Sequence, residues 1–175
     1  MNGNGPETAE YRIGWGSDMH LLCQGEGIML GGVAIPCEWG CVADSDGDVL
    51  LHALVDALLG AGGLGDIGDH FPEARVKKGE ASRVFVEEVL AMLLRKGGSI
   101  VNVDCVVDLE RPKLGPHKAA IRDNVADLLG IARDRVNVKA KTGEGLGPVG
   151  TGQAVASQVT LLARLPGDAV RGAKL

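Results

Sequence analysis

The stretch Ala43–Gly65, ADSDGDVLLHALVDALLGAGGLG, decides the fold. Ser45 is followed three residues on by Asp48, the capping-box spacing of a helix start. Val49, Leu50, Leu51, Leu54, Val55, Leu58 and Leu59 then recur at helical spacing until glycines from Gly60 onward stop the helix. Asp48, His52 and Asp56 sit four apart and share one face. A hydrated outer face is the ordinary reading of the two aspartates; the other is that they support a ligand rather than ligate. Asp46 suits the positive end of the helix. The histidine needs a second stretch to be understood.

That stretch is Tyr11–His20, YRIGWGSDMH. Side chains of a strand alternate between faces, so Asp18 and His20 point the same way. With His52 they make a set of one carboxylate and two imidazoles. Those donors suit zinc, and three protein ligands leave a fourth position for water or substrate. His70 and His117 lack ligand spacing with this pair and are left out of the set.

Outward from these two stretches the chain reads as one domain. The first strand begins at Arg12–Gly14; Ile28–Leu30 and Val33–Pro36 flank a Gly31-Gly32 hairpin turn, and residues 36–43 read as a connection. Residues 65–81 form a long loop, of the kind that often covers a site. Residues 79–96 and 116–129 read as helices, and 100–109, 136–140 and 154–165 as strands. This order predicts an α+β fold, one mixed sheet with helices on one face. Residues 11–165 form the domain, with tails at 1–10 and 166–175.

Composition narrows the function. The chain has 175 residues, 45% hydrophobic but only 3% aromatic, so its core must be built from Val, Leu, Ile and Ala. A net charge of −5 with no basic run argues against a nucleic-acid partner. No transmembrane-length apolar run and no signal-like start are present, which predicts a protein without a membrane partner that is cytoplasmic or lies in a compartment reached without a visible signal. Cys23, Cys37, Cys41 and Cys105 are expected as free buried thiols, since Cys37-x-x-x-Cys41 has no second pair to complete a metal site.

Five ordered blocks carry a resemblance: R-I-G-x-G-x-D-x-H from Arg12, S-D-G-D-V-x-x-H from Ser45, L-G-D-I-G-x-x-F-P from Leu64, P-K-L-x-P-H from Pro112, and V-N-V-K-A-K-T-x-E-x-L-G from Val136. The chain resembles the 2-C-methyl-D-erythritol 2,4-cyclodiphosphate synthases over nearly its whole length. The resemblance implies a ferredoxin-like homotrimer with active sites between subunits. It also implies conversion of 4-CDP-2-C-methyl-D-erythritol 2-phosphate to a cyclic diphosphate plus CMP, in the non-mevalonate route to isoprenoids. Zinc, or a similar divalent ion, would sit on Asp18, His20 and His52, and magnesium or manganese on Glu144 and the substrate diphosphate.

Further roles follow residue by residue from the same resemblance. Thr142 would stabilise the transition state, Asp66 and Gly68 would meet the erythritol hydroxyls, and Leu109, Lys113, Leu114 and Gly115 belong to a cytidine loop from the neighbouring chain. A polar turn after a strand is the ordinary reading of Thr142 and Glu144, and the surrounding match reverses it. Ser45 and Phe71 fall on substrate-binding positions; Asp18 and His20 also face substrate. The glycine-rich run 143–152 lacks the G-K-[ST] of a phosphate-binding loop.

The chain also departs from the family. Asp44 stands where the family places a histidine beside the diphosphate, so it recruits a cation or lowers activity. Lys141 replaces a small polar residue of the cytidine loop, and Glu73, Ala74 and Arg75 alter the erythritol loop. Pro148, Thr151 and Gln153 replace side chains that form an anion site on the family's threefold axis, so no axial ligand is expected. Two rivals remain: a diverged protein that holds zinc and cytidine nucleotide with little turnover, and a metal-dependent phosphohydrolase.

Overall fold

The computed structural model describes residues 9–167. Its framework is a five-stranded sheet in the order β4 (Trp39–Cys41), β1 (Ala9–Gln24), β7 (Ala154–Pro166), β5 (Ser99–Asp108) and β6 (Val136–Lys141). The long strand β1 (Ala9–Gln24) runs antiparallel to β7 (Ala154–Pro166), which also runs antiparallel to β5 (Ser99–Asp108). Strand β6 (Val136–Lys141) lies parallel to β5. The sheet is therefore mixed and the fold α+β, as expected. Strands β2 (Ile28–Leu30) and β3 (Val33–Ile35) form the hairpin around Gly31-Gly32.

Helix α1 (Val49–Gly62) lies across β1 and β7 with α3 (Arg83–Arg95) beside it, and α4 (Lys118–Leu129) packs against β6 and α3. Its side chains are apolar nearly all round because α1 is enclosed on nearly all sides; Leu50, Leu51, Leu54, Leu58 and Leu59 have no exposure. The core is aliphatic apart from Phe71 and Phe85, as the composition requires. Contact between α1 and β1 is close enough to exclude a side chain. A Cβ on Gly14 would run into the main-chain oxygen of Ala57, so glycine there lets the helix settle on the strand.

The structure moves several boundaries. Ser45 does not cap α1: the cap is Asp48, whose carboxylate accepts from Leu51 N at 3.0 Å. The same buried carboxylate accepts from Gly31 N at 2.9 Å and Gly32 N at 2.6 Å, tying the hairpin turn to the helix start. Ser45 satisfies the S-x-x-D spacing but accepts from Gly47 N instead. The expected connection at 36–43 contains β4 (Trp39–Cys41), which pairs with the end of β1. The loop at 65–81 contains a one-turn helix α2 (Ile67–His70), and the glycine-rich run contains another, α5 (Gly147–Gly150).

Helix α4 starts at Lys118, after a 3-10 turn at Gly115–His117. Ala9 and Glu10 pair with Pro166 and Leu165, so both ends of the domain extend slightly into the expected tails. The rest of those tails, 1–8 and 168–175, lies outside the described residues. The four cysteines are free, but only Cys105 is buried; Cys23 is exposed.

Candidate metal centre and its cavity

Strand β1 alternates as expected: Gly14, Gly16, Asp18, His20 and Leu22 face the helix layer, and the residues between them face outward. Asp18 and His20 therefore lie under α1, whose first turn supplies His52. Asp18 Oδ2 is 3.0 Å from His52 Nδ1 and 3.1 Å from His20 Nε2, and the two imidazole nitrogens are 3.1 Å apart. These sides are slightly shorter than the about 3.3 Å between ligands of a tetrahedral zinc ion. The three partly buried groups are the one cluster among the described residues that could hold a metal ion. Burial tends to raise the Asp18 carboxyl, but hydrogen bonds from His20 and His52 outweigh it and hold Asp18 well below the usual carboxylate range. An anion beside two imidazoles fits a divalent cation.

Beside the triad lies a cavity of about 280 Å³. Of the residues predicted from sequence, His20, Asp44, Ser45, His52, Gly68 and Phe71 line it, together with Glu73 from the altered erythritol loop. Val76 and Phe85 line it as well and carried no site signal in the sequence. Phe71 stacks near Phe85 with centroids 4.6 Å apart, giving the cavity an apolar wall. Arg75 lies over the Phe71 ring, 4.7 Å from its centroid, and pairs with Glu88 at 2.6 Å, holding this segment against α3.

Three acidic residues do more local work than the sequence indicated. Asp66 caps α2 in a capping box with Asp69, and so stands at the head of the one-turn helix whose Ile67 and Gly68 line the cavity. Asp56 accepts from Ile67 N at 2.8 Å, linking α1 to α2. Burial pushes its carboxyl upward, partly offset by that bond. Asp48 is consumed by main-chain N–H groups; burial pushes its carboxyl up against their opposing pull. Neither Asp48 nor Asp56 makes a side-chain hydrogen bond to His52, contrary to the expected supporting role. His70 bonds the Leu64 carbonyl at 2.8 Å, in keeping with its exclusion from the metal set.

The remaining predicted residues gather elsewhere, at the ends of β5 and β6. Leu109 N donates to the Lys141 carbonyl at 3.0 Å, and Gly143 N to Glu110 at 3.2 Å. Thr142 Oγ1 donates to Glu144 Oε1 at 2.5 Å. Glu144 has φ of 50°, the one non-glycine with positive φ among the described residues, a strained backbone of the sort found at functional turns. Lys113 lines a separate cavity of about 660 Å³ with Trp39 and Glu110, Gly115 lines one of about 390 Å³, and Leu114 is buried. Neither Thr142 nor Glu144 lines the cavity beside the triad.

Residues 11–164 match the YgbB family. The chain is similar to the 2-C-methyl-D-erythritol 2,4-cyclodiphosphate synthase of Bordetella avium, 50% identical over 159 residues covering 90% of this chain and 98% of that one. Its fold is similar to a solved 2C-methyl-D-erythritol-2,4-cyclodiphosphate synthase in a CDP-bound form, at a TM-score of 0.80 and 41% identity, covering 87% of this chain and 99% of that one. It is also similar to the bifunctional IspDF from Campylobacter jejuni, at a TM-score of 0.86 and 36% identity; there it covers 90% of this chain but 43% of that longer one.

Proposed function

The chain belongs to the YgbB family, and from that membership we propose that it is an enzyme converting 4-CDP-2-C-methyl-D-erythritol 2-phosphate to the 2,4-cyclic diphosphate with release of CMP. In reaction class it is a phosphorus–oxygen lyase of isoprenoid biosynthesis. The observation that carries this reading is the Asp18–His20–His52 triangle opening beside the cavity that Asp44, Ser45, Gly68 and Phe71 line.

The reaction is an intramolecular phosphoryl transfer, in which the 2-phosphate oxygen attacks the β-phosphorus and CMP departs. Such a step is accelerated mainly by alignment and charge neutralisation. Asp18, His20 and His52 would hold zinc, which supplies Lewis-acid stabilisation of phosphate oxygens. Glu144 would hold magnesium or manganese together with the diphosphate. The Thr142 hydroxyl would turn from Glu144 to donate to a phosphate oxygen as charge develops there. Gly68 and Asp66 would receive the erythritol end, and Phe71 would wall it off from water. Leu109, Lys113, Leu114, Gly115 and Lys141 would form the cytidine side.

The finer assembly belongs to the same proposal: a ferredoxin-like subunit in a homotrimer, with each site completed by the neighbouring chain. That Thr142 and Glu144 do not line the cavity beside the triad supports this reading, in which a neighbouring copy brings them to it. No helix among the described residues is long and apolar enough to cross a membrane, and we place the enzyme in the cytoplasm. Incubation with the CDP-linked substrate and a divalent metal is the test. Cyclic diphosphate with CMP is the expected product; bound but intact nucleotide, or a linear hydrolysed product, would overturn the proposal.

A further inference from the structure

The second nitrogen of His52 is not left to solvent. Nε2 lies 3.0 Å from Ser82 Oγ and 3.1 Å from Ser45 Oγ. Ser82 has no exposure, and it reaches past His52 to Asp46: its hydroxyl donates to Asp46 Oδ1, and its main-chain N–H to Asp46 Oδ2 at 3.1 Å. Ser82 also stands at the N-cap of α3, where a serine ordinarily accepts from the helix's own N–H groups. It makes no such bond. The side chain best placed to cap the helix is turned into the metal centre instead.

Resting on the metal site of the proposed function, we propose that Asp46 and Ser82 are positioning residues that keep the proton on His52 Nε2 and so aim a bare Nδ1 at the ion shared with Asp18 and His20. The direction of each hydrogen bond follows from the far end of the chain. Asp46 receives Ser82 N, Ser82 Oγ and Asp48 N, all donors, so its carboxylate accepts throughout. Ser82 has one hydroxyl proton, and Asp46 holds it. Toward His52 the Ser82 oxygen can therefore only accept, and Nε2 must be the N–H. Ser45 Oγ, which already accepts from Gly47 N at 3.2 Å, offers a second acceptor to the same proton.

With Nε2 protonated, Nδ1 of the neutral ring is the nitrogen left to ligate, 3.0 Å from the Asp18 oxygen, where a bound cation would take the place of the proton that otherwise bridges the pair. The arrangement is a carboxylate–hydroxyl–imidazole relay, serving the purpose that a direct carboxylate–imidazole bond serves at other metal centres. Phe85, on the first turn of α3, places its ring 6.1 Å from that of His52 and shields the relay from water.

The test uses the zinc-loaded protein, with zinc affinity from competition against a chromophoric chelator and the His52 Nε2–H resonance from nitrogen-edited NMR. The parent is expected to bind zinc with a slowly exchanging Nε2–H. Ser82→Ala should lose about tenfold in affinity and exchange that proton faster, while Ser82→Thr, which keeps the hydroxyl, should restore both. Asp46→Asn should weaken binding in the same direction and serves if Ser82→Ala folds poorly. Val86→Ala, a cavity in the same helix, should lower stability and move neither readout. Unchanged affinity and resonance in Ser82→Ala or in Asp46→Asn would overturn the relay. A parent that takes up no zinc would remove the metal site and the relay with it. A parent that binds zinc without turnover would remove only the activity.

Discussion

A Cβ on Gly16 would collide with the main-chain oxygen of Ala53, so β1 and α1 meet backbone to backbone at the level of the metal ligands. Gly16 is two residues before Asp18, and Ala53 follows His52. The contact sets the separation between the strand that gives two ligands and the helix that gives the third. Gly16→Ala should therefore cost about 3 kcal/mol in denaturant unfolding and weaken zinc binding together with stability. Gly60 is exposed in the same helix, and a methyl added there would meet nothing nearer than the Trp15 main-chain oxygen at 3.9 Å. Gly60→Ala should instead stabilise by up to about 1 kcal/mol and leave zinc affinity unchanged.

Much of this geometry was legible because it follows from period. Alternation along β1 puts Asp18 and His20 on one side without tertiary information, whereas their meeting with His52 was read from the donor set and the family resemblance. What was hidden depends on competition between chemically similar groups. Ser45 and Asp48 both suit a helix start, and Asp48 takes it because its carboxylate also meets Gly31 and Gly32 from the hairpin. Helix α2 is one turn long, too short for any periodicity, and β4 is three residues with a glycine at its centre. Ser82 carried no site signal in the sequence, falling inside the helix expected over 79–96. Only folding shows that Asp46, 36 positions earlier, has taken its hydroxyl.

Asp44 lines the cavity beside His20 and His52, and its main-chain carbonyl is fixed by Gly79 N at 2.6 Å. An additional carboxylate on the wall that would face a diphosphate raises the cost of bringing phosphate in. Across a solvated cavity, at a dielectric close to that of water and a separation of about 4 Å, such a repulsion is worth about 1 kcal/mol, or about fivefold. Asp44→His should lower KM for the CDP-linked substrate by about that factor, measured by CMP release at saturating divalent metal. An unchanged or raised KM would remove the idea that Asp44 limits turnover and favour its holding a cation.

On the outer face of the sheet, Lys139 Nζ lies 2.5 Å from Asp104 Oδ2, and Asn137 donates to Oδ1 at 2.9 Å. Slight burial tends to raise the Asp104 carboxyl, but the bonds from Lys139 and Asn137 outweigh it and lower its pKa. A folded-state value below the unfolded one gives stability that is present above the ordinary carboxylate value of 3.8 and lost as pH falls through the lowered value. Both side chains are about two-fifths exposed, so solvent screening keeps the pair below about 1 kcal/mol. Lys139→Met should cost less than that at pH 7, and the difference from the parent should close as unfolding is measured below pH 3.8. A difference that persists in acid would mean that packing of the lysine stem, not charge, was lost.

The outward side of β1 carries Tyr11, Ile13, Trp15, Met19 and Leu21, each more than half exposed, Ile13 at 72%. An apolar stripe of this length on a sheet face is the usual mark of an interface, and it supports the proposed trimer. The two halves of the proposed site make separable demands on that trimer. Asp18, His20 and His52 come from one chain, whereas the cytidine side would come from its neighbour. Trp15→Glu places a charge in the stripe without touching the inward face of β1, so it should shift the 18.1 kDa chain from trimer to monomer in sedimentation. The monomer should keep zinc binding near the parent level and lose nearly all turnover, with partial recovery at high protein concentration. A monomer that turns over like the parent would show that one chain closes its own site, and the between-subunit arrangement would have to be abandoned. A trimer unaffected by the charge would place the interface on another face.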